Sequence, residues 1–223
     1  VFVNASPIGH WKLNEASGNT INDFSNNNLD GVAKNFPTNY GVSDRNNVSN
    51  GAVVFDGNND YIDLSSHGSS FANFTTGFTY LGWAKWHSLN NFSRLIDFSN
   101  GPTSDNILIT NVNNSKTLRF GIYQNGVEHK HNVDNYITLN QWMHVAVTVD
   151  ENHKVIIYKN GDKVYGPITS SRHIVNKTRN KVYIGKSAWG TNDYFDGEMD
   201  DVRIYNTALS EEEIQFRYQN STE

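Results

Sequence analysis

Cysteine is absent from the 223 residues, which excludes disulfide staples, thiolate metal sites and cysteine nucleophiles. A chain of this length needs no staple, because folding alone buries roughly 70% of its unfolded surface. Zero cysteine leaves the compartment open, since large secreted domains also manage without disulfides. Proline is scarce, at four residues, and no Pro-rich, Gly/Ser-rich or charged linker divides the chain. No internal repeat stands out. The chain therefore reads as one domain over 1–223, with a core from about 8 to 218 and tails at 1–7 and 219–223.

A strong charge of either sign is also missing. Eighteen basic against 23 acidic residues leave a net charge of −5. There is no basic stripe, so the electrostatic footprint of a nucleic-acid binder is absent. No apolar run approaches the ~18 residues of a membrane span, which argues against membrane insertion. The chain opens on Val1 and carries no signal-peptide pattern, so it reads as a processed chain or an excised domain. The H-E-x-x-H, G-x-S-x-G and P-loop motifs are all absent, and no EF-hand loop is present.

What is abundant is asparagine, with 33 residues. Seven N-x-S/T sequons follow, at Asn4, Asn47, Asn73, Asn91, Asn113, Asn176 and Asn220. They fit a glycosylated secreted or cell-surface protein, and chance in an Asn-rich chain accounts for most of them.

Helix signals are nearly absent. Short β-branched and aromatic runs recur between Asn, Gly, Asp and Ser clusters, the spacing of an all-β sandwich or barrel. The expected strands are Gly9–Leu13, Ala52–Phe55, Tyr61–Leu64, Phe78–His87, Ser93–Phe98, Ile107–Asn111, Leu118–Tyr123, Trp142–Val149, Lys154–Lys159, Lys163–Gly166, Lys181–Lys186 and Phe195–Tyr205. The segment 25–50 is the longest polar loop, with a possible short edge strand in GVAKNF. Asn125-Gly126 and Asn160-Gly161 are tight hairpin turns, because both residue types tolerate positive φ. Alternation puts Met143, Val145, Val147 and Val149 on one face, and Leu118, Phe120 and Ile122 on another, with Arg119 and Tyr123 pointing away. One helix is expected, after Ser210-Glu211-Glu212-Glu213, which reads as a capping box. Ile214 would pin it to the sandwich.

The order of segments says more. GHWKLNEASGNTINDFSNNNLDG opens the domain, GAVVFDGNNDYIDL and TTGFTYLGWAKW follow, and FDGEMDDVRIYNTALSEEEI closes it. This resembles the laminin-G-like, concanavalin-A-like jelly-roll domains of secreted lectins, adhesins, pentraxins and accessory modules of carbohydrate-active enzymes. The likeness runs from about Gly9 to Ile214. It implies two antiparallel sheets in a jelly-roll sandwich, with variable loops at the rim of a groove.

The resemblance also implies a structural Ca²⁺ where an early D-x-S-x-N-x-x-x-G loop lies beside a late D-D-V-R-I-Y strand. Carried over, Asp23, Asn27, Asp200 and Asp201 are the ligands, offering the hard oxygens that calcium takes. Asn26 and Asn28 stand where the family has glycines. The same Asp and Asn side chains also cap turns through their own backbone. A second oxygen-rich loop holds Asp56, Asn59, Asp60 and Asp63, and there the turn reading is preferred. Glu198 and Asp200 share a strand face, but the strand matches the family's non-catalytic closing strand, so no enzyme is expected. His129 and His131 read as solvated residues of an exposed strand.

Sugar rings stack their C–H faces on aromatic rings. The resemblance puts Trp11, Trp83 and Trp142 at core or sheet positions, where packing is the preferred reading. Trp189 and Tyr194 instead flank a polar loop with Asp193, where recognition groups concentrate. Arg94, Asp97, Asp105 and Asn106 form another polar set, in which Arg94 either forks onto a ligand or pairs with Asp97. The leading expectation is an extracellular carbohydrate-binding module of lectin or adhesin type, calcium-stabilised, with Trp189, Tyr194, Asp193, Arg94 and Asn106 at its ligand site. The alternative is a structural or protein-interaction module of an extracellular filament or matrix, with possible self-assembly. A glycan-cleaving enzyme ranks third.

Overall fold

The computed structural model describes residues 5–221. Sixteen strands run in chain order: β1 (Gly9–Trp11), β2 (Thr20–Ile21), β3 (Gly31–Lys34), β4 (Gly41–Val42), β5 (Ala52–Asp56), β6 (Tyr61–Asp63), β7 (Phe78–Trp86), β8 (Arg94–Ser99), β9 (Ile107–Asn111), β10 (Leu118–Gln124), β11 (Val127–Val133), β12 (Met143–Val149), β13 (Lys154–Lys159), β14 (Asp162–Thr169), β15 (Lys181–Ile184) and β16 (Asp196–Tyr205). One helix, α1 (Glu211–Gln219), follows. The strands form two antiparallel sheets. The first has the order β14-β13-β12-β7-β16-β5-β4, with β1 also on β16, and the second the order β11-β10-β9-β8-β15-β6-β3-β2. This is the expected jelly-roll sandwich.

The core lies between the sheets and follows the period of two. Met143, Val145, Val147 and Val149 face inward from the first sheet, and Leu118, Phe120 and Ile122 from the second, all buried in one cluster. The first sheet's other face is partly covered. Leu81, Ala146, Tyr158 and Tyr205 pack there under Leu209 and the fully buried Ile214 of α1. The capping box is formed: the Glu213 N–H donates to Ser210 Oγ, and Glu213 Oε2 accepts from the Ser210 N–H. Both expected hairpin turns are present, with Asn125 (φ 53°) and Asn160 (φ 52°) in the left-handed region.

Ends of the expected strands differ by at most two residues, β1 and β15 each stopping two early, except β14, which runs on to Thr169. β2 and β4 are two residues each, too short to carry a period in the sequence. GVAKNF does contain β3, but β2 rather than β3 forms the edge. Among the described residues, no helix is long and apolar enough to cross a membrane.

Candidate functional site

The outer face of the second sheet is open where β8 to β11 run side by side. Register decides what it shows. Arg94 pairs with Thr110, Asp97 with Leu108, and Tyr123 with Glu128, so these side chains share one face with Arg119 and Lys130. A bulge after Arg94 lets Leu95 and Ile96 both turn into the core. Gly121 is the floor: a Cβ there would stand 2.6 Å from Glu128 Oε1 and 2.9 Å from Leu108 Cδ1. The absent side chain lets Glu128 lie across the sheet.

The loop between β15 and β16 folds over this face and brings Trp189. It is fastened at several points. Asp97, fully buried, accepts the Ala188 N–H at 3.0 Å on Oδ2. Ser187 Oγ accepts the Trp189 N–H and the Asn192 amide, at 3.1 and 3.0 Å. At the far end, Asp193 Oδ2 accepts the Asn91 N–H at 2.7 Å, and the Asp193 N–H donates back to Asn91 O. Trp189 thus sits half-buried between two partners, the Arg94 guanidinium 5.4 Å from its ring centroid and the Tyr123 ring at 5.5 Å.

Two adjoining cavities share Trp189 and Asn192. The first, about 260 Å³, is walled by Arg94, Arg119, Tyr123, Glu128 and Lys130. The second, about 220 Å³, is walled by Lys181, Tyr183, Lys186 and Tyr194. Each falls just below the roughly 300 Å³ at which drug-sized pockets begin, a scale suited to one small ring. In the second, Lys186 Nζ stands over Tyr61, Tyr183 and Tyr194, at 3.8, 5.0 and 5.8 Å from their centroids.

The first cavity is electrostatically tense. Burial pulls the Arg94 guanidinium below its ordinary pKa against the attraction of Asp97. The same burial pushes the Asp97 carboxyl up, with Arg94 opposing. Arg94 Nη1 donates to Phe92 O and Thr110 Oγ1, both at 2.6 Å, while Nε, 3.5 Å from Asp97 Oδ2, has no hydrogen bond. Desolvation first, and then Glu128, push the Tyr123 hydroxyl up to about 12, so it stays a donor to Glu128 Oε2 at 3.2 Å.

The expected ligand residues therefore divide. Arg94 and Trp189 meet in one cavity, and Tyr194 lines its neighbour. Asp193 is occupied at the loop's base. Asn106 lies behind the pocket rather than in it: fully buried, it donates its amide to Asp97 Oδ1 at 2.8 Å. The pocket also contains Glu128, Lys130 and Lys186, which the sequence reading did not single out. Alternation had already turned Arg119 and Tyr123 outward; what it lacked was the loop that makes their face a pocket.

Of the expected calcium ligands, Asp23 and Asp201 are linked through His10 while Asp200 faces Arg45, and among the described residues no three acidic or histidine side chains are placed to share a cation. Asp23 accepts four hydrogen bonds, from the N–H groups of His10, Ser25 and Leu29 and from the Ser25 hydroxyl. Asn27 turns its NH₂ onto Ile8 O at 3.0 Å. Asp201 takes His10 Nε2 at 2.8 Å and the fork of Arg203, and Asp200 takes Arg45. A cation needs lone pairs, and here donors and positive side chains occupy them. His10 joins the two segments, through its backbone to Asp23 and its ring to Asp201. Asn26 and Asn28 adopt φ of 71° and 55°, so asparagine serves where the family has glycine.

The second acidic loop is a turn. Asp56 Oδ1 accepts the Asn58 and Asn59 N–H groups, and Gly57 supplies φ 74°. Asp60 is buried, with Oδ2 accepting the Asp56 N–H and Oδ1 unpartnered; burial foremost pushes its carboxyl up to about 6. Glu198 is held by Lys85 and His87, each at 2.9 Å, and lies with Asp200 on the other sheet, away from the pocket. His131 corrects the solvated reading: it is fully buried against Phe120, and desolvation lowers its pKa to about 4. Of the sequon asparagines, Asn47, Asn73, Asn113, Asn176 and Asn220 are exposed and Asn91 is half-buried, while Asn4 lies outside the described residues.

A family model described as the concanavalin A-like lectin/glucanases superfamily matches residues 56–215. No curated protein matches the sequence. Among solved structures, domain 4 of AbnA, a GH43 extracellular arabinanase from Geobacillus stearothermophilus, in complex with arabinotriose, is similar at 17% identity and TM-score 0.68, over 96% of this chain and 98% of that one. Trypanosoma rangeli sialidase in complex with sialic acid is similar at 17% identity and TM-score 0.63, over 96% of this chain but 32% of the sialidase. The binding domain of botulinum neurotoxin DC, in complex with rat synaptotagmin II, is similar at 16% identity and TM-score 0.67, over 99% of this chain and 53% of the toxin domain. At these identities the likeness is one of fold.

Proposed function

The chain belongs to the concanavalin A-like lectin/glucanases superfamily, and from that premise we propose that it is a secreted or cell-surface carbohydrate-binding module whose site is the outer face of the second sheet under Trp189. One observation carries this: a half-buried tryptophan, fixed between Arg94 and Tyr123, is the shared wall of two small polar cavities. A rigid aromatic beside forked donors suits a sugar, whose ring has apolar C–H faces and a polar rim. The arabinanase domain, similar along its whole length, is named in complex with an oligosaccharide.

Binding is favoured over cleavage by the carboxylates. Glycoside hydrolysis ordinarily uses two, set about 5–9.5 Å apart across the bond. Glu128 is the one carboxylate lining the first cavity, and none lines the second. A glycan array probed with the folded chain tests the proposal. Signal on defined glycans supports it, and no glycan above background contradicts it.

A protein-interaction role is the second reading, favoured by β14. This strand closes the first sheet with an open edge and exposes Val164 and Ile168, at 42% and 45%. Such an edge can pair with another chain. Sedimentation at rising concentration tests it, and a monomer throughout speaks against self-assembly.

A further inference from the structure

Five of the chain's 18 cationic side chains line the two cavities: Arg94, Arg119 and Lys130 in the first, Lys181 and Lys186 in the second. Against them stand two carboxylates, Glu128 in the lining of the first cavity and the buried Asp97 beneath it, 3.5 Å from Arg94 Nε. The whole chain carries −5, so this positive face stands against the molecule's overall charge.

Glu128 does not neutralise its neighbours. Its Oε2 is shared among the Tyr123 hydroxyl at 3.2 Å, Arg119 Nη1 at 3.6 Å and Lys130 Nζ at 3.8 Å. Neither ion pair reaches hydrogen-bond length. A guanidinium has five N–H donors in a planar fork. Among the described residues, Arg119 satisfies one, Nε to Asn132 Oδ1 at 2.9 Å. Arg94 directs Nη1 to two acceptors and turns Nε toward Asp97 Oδ2 at 3.5 Å, while among the described residues its Nη2 makes no hydrogen bond. Two arginines that are largely enclosed, at 3% residue exposure for Arg94 and 12% side-chain exposure for Arg119, therefore hold unused donors beside an aromatic wall. An anionic acceptor that reaches these donors gains charge-assisted hydrogen bonds, which are stronger than neutral ones. Neutral hydroxyls accept hydrogen bonds but leave the excess charge unbalanced. A carboxylate or sulfate answers both, through bidentate charge-assisted bonds.

We propose that the pocket under Trp189 takes a saccharide bearing an anionic group, with the anion held between Arg94 and Arg119, the sugar ring against Trp189, and the adjoining residue of the glycan entering the cavity of Lys186. This rests on the carbohydrate-binding reading and narrows it to acidic glycans. Carboxylate and sulfate ester share the recognising chemistry.

Calorimetry of the full chain with matched pairs is the test: tetragalacturonate against its methyl ester, and a κ-carrageenan oligosaccharide, whose anions are all sulfate esters, against its desulfated form, with a neutral arabino-oligosaccharide alongside. One acidic member binding at least tenfold tighter than its neutralised twin, weakening from 50 to 500 mM salt, is the expected result, and the pair that responds identifies carboxylate or sulfate. Arg119→Gln and the more exposed Lys130→Gln should each weaken that binding several-fold. Equal binding of both members of each pair, or a preference for the neutral oligosaccharide, overturns the acidic assignment and leaves the site standing. Binding of none of the five probes, with an empty glycan array, overturns both. Acidic binding unmoved by either variant overturns the assignment of the anion to this pocket.

Discussion

The buried Asp97 carboxylate accepts the Ala188 N–H at 3.0 Å, one residue before the tryptophan that walls both cavities. The same side chain faces the Arg94 guanidinium and takes the Asn106 amide. Strand β8 and the β15–β16 loop are therefore joined at a single charged group below the pocket.

Removing that group leaves a buried arginine and two N–H donors without their acceptor. Breaking a buried pair from one side costs about 3–5 kcal/mol. Asp97→Ala is expected to lower the unfolding free energy by about that much in urea denaturation, and to weaken glycan binding by loosening Trp189. A stability change below about 1 kcal/mol would show that the loop is held by other means.

Calcium is expected to do nothing for stability, because donors already occupy Asp23, Asp200 and Asp201. A ligand at 100 times its Kd adds about 2.7 kcal/mol to the folded state. Melting temperatures in 1 mM CaCl₂ and in excess EDTA should coincide. A clear rise with calcium would restore the metal reading of the early loop.

Asp60 binds its proton more tightly in the fold, at about 6 against an ordinary 3.8. Its contribution to stability is complete below about pH 4 and is lost as pH rises through about 6. Asn carries no such charge and keeps an oxygen for the Asp56 N–H. Asp60→Asn should match the parent at pH 4 and exceed it at pH 7, by on the order of 1–3 kcal/mol. A variant weaker than the parent at both pH values would contradict the shift.

His144 runs the other way. It is buried between Trp83 and Tyr218, at 5.3 and 5.8 Å, and desolvation lowers its pKa to about 3. Its neutral form stabilises the fold above about pH 6.5, and that contribution fades as pH falls and the unfolded chain takes up the proton. His131, lowered to about 4, acts in the same sense. Between pH 6.5 and 4.5 the His144 share is roughly 2–3 kcal/mol. His144→Phe keeps a ring there and should flatten the acid side of the stability curve, read by melting temperature against pH. An unchanged acid slope would remove His144 from the account.

Much of this fold was legible in the chain because its information is local. Alternation placed Met143 to Val149, Asn-Gly pairs placed the hairpins, and Ser210 with Glu213 placed the helix. The site was half legible for the opposite reason. Arg94 and Trp189 lie 95 residues apart and meet only because β8 pairs with β15 and the following loop folds back. Glu128 and Lys130 stand opposite Tyr123 and Gly121 across the local β10–β11 hairpin, and only the distant β15–β16 loop folding over that face makes it a pocket. The calcium expectation came from family likeness of a loop. What the loop alone did not show is that His10 and Arg203, outside it, are partners of Asp201.

Trp189 walls both cavities, so ligand binding depends on it most directly. Calorimetric titration with the best ligand from a glycan array, on the parent, on Trp189→Ala and on Trp142→Ala, compares the pocket with a half-buried tryptophan of the other sheet's start, where Lys85 stands over the ring at 5.6 Å. Trp189→Ala should lose at least tenfold in affinity, since stacking on an aromatic side chain is worth about 1–3 kcal/mol, while Trp142→Ala binds as the parent does. Undiminished binding by a folded Trp189→Ala, or loss with Trp142→Ala alone, would contradict the placement of the site.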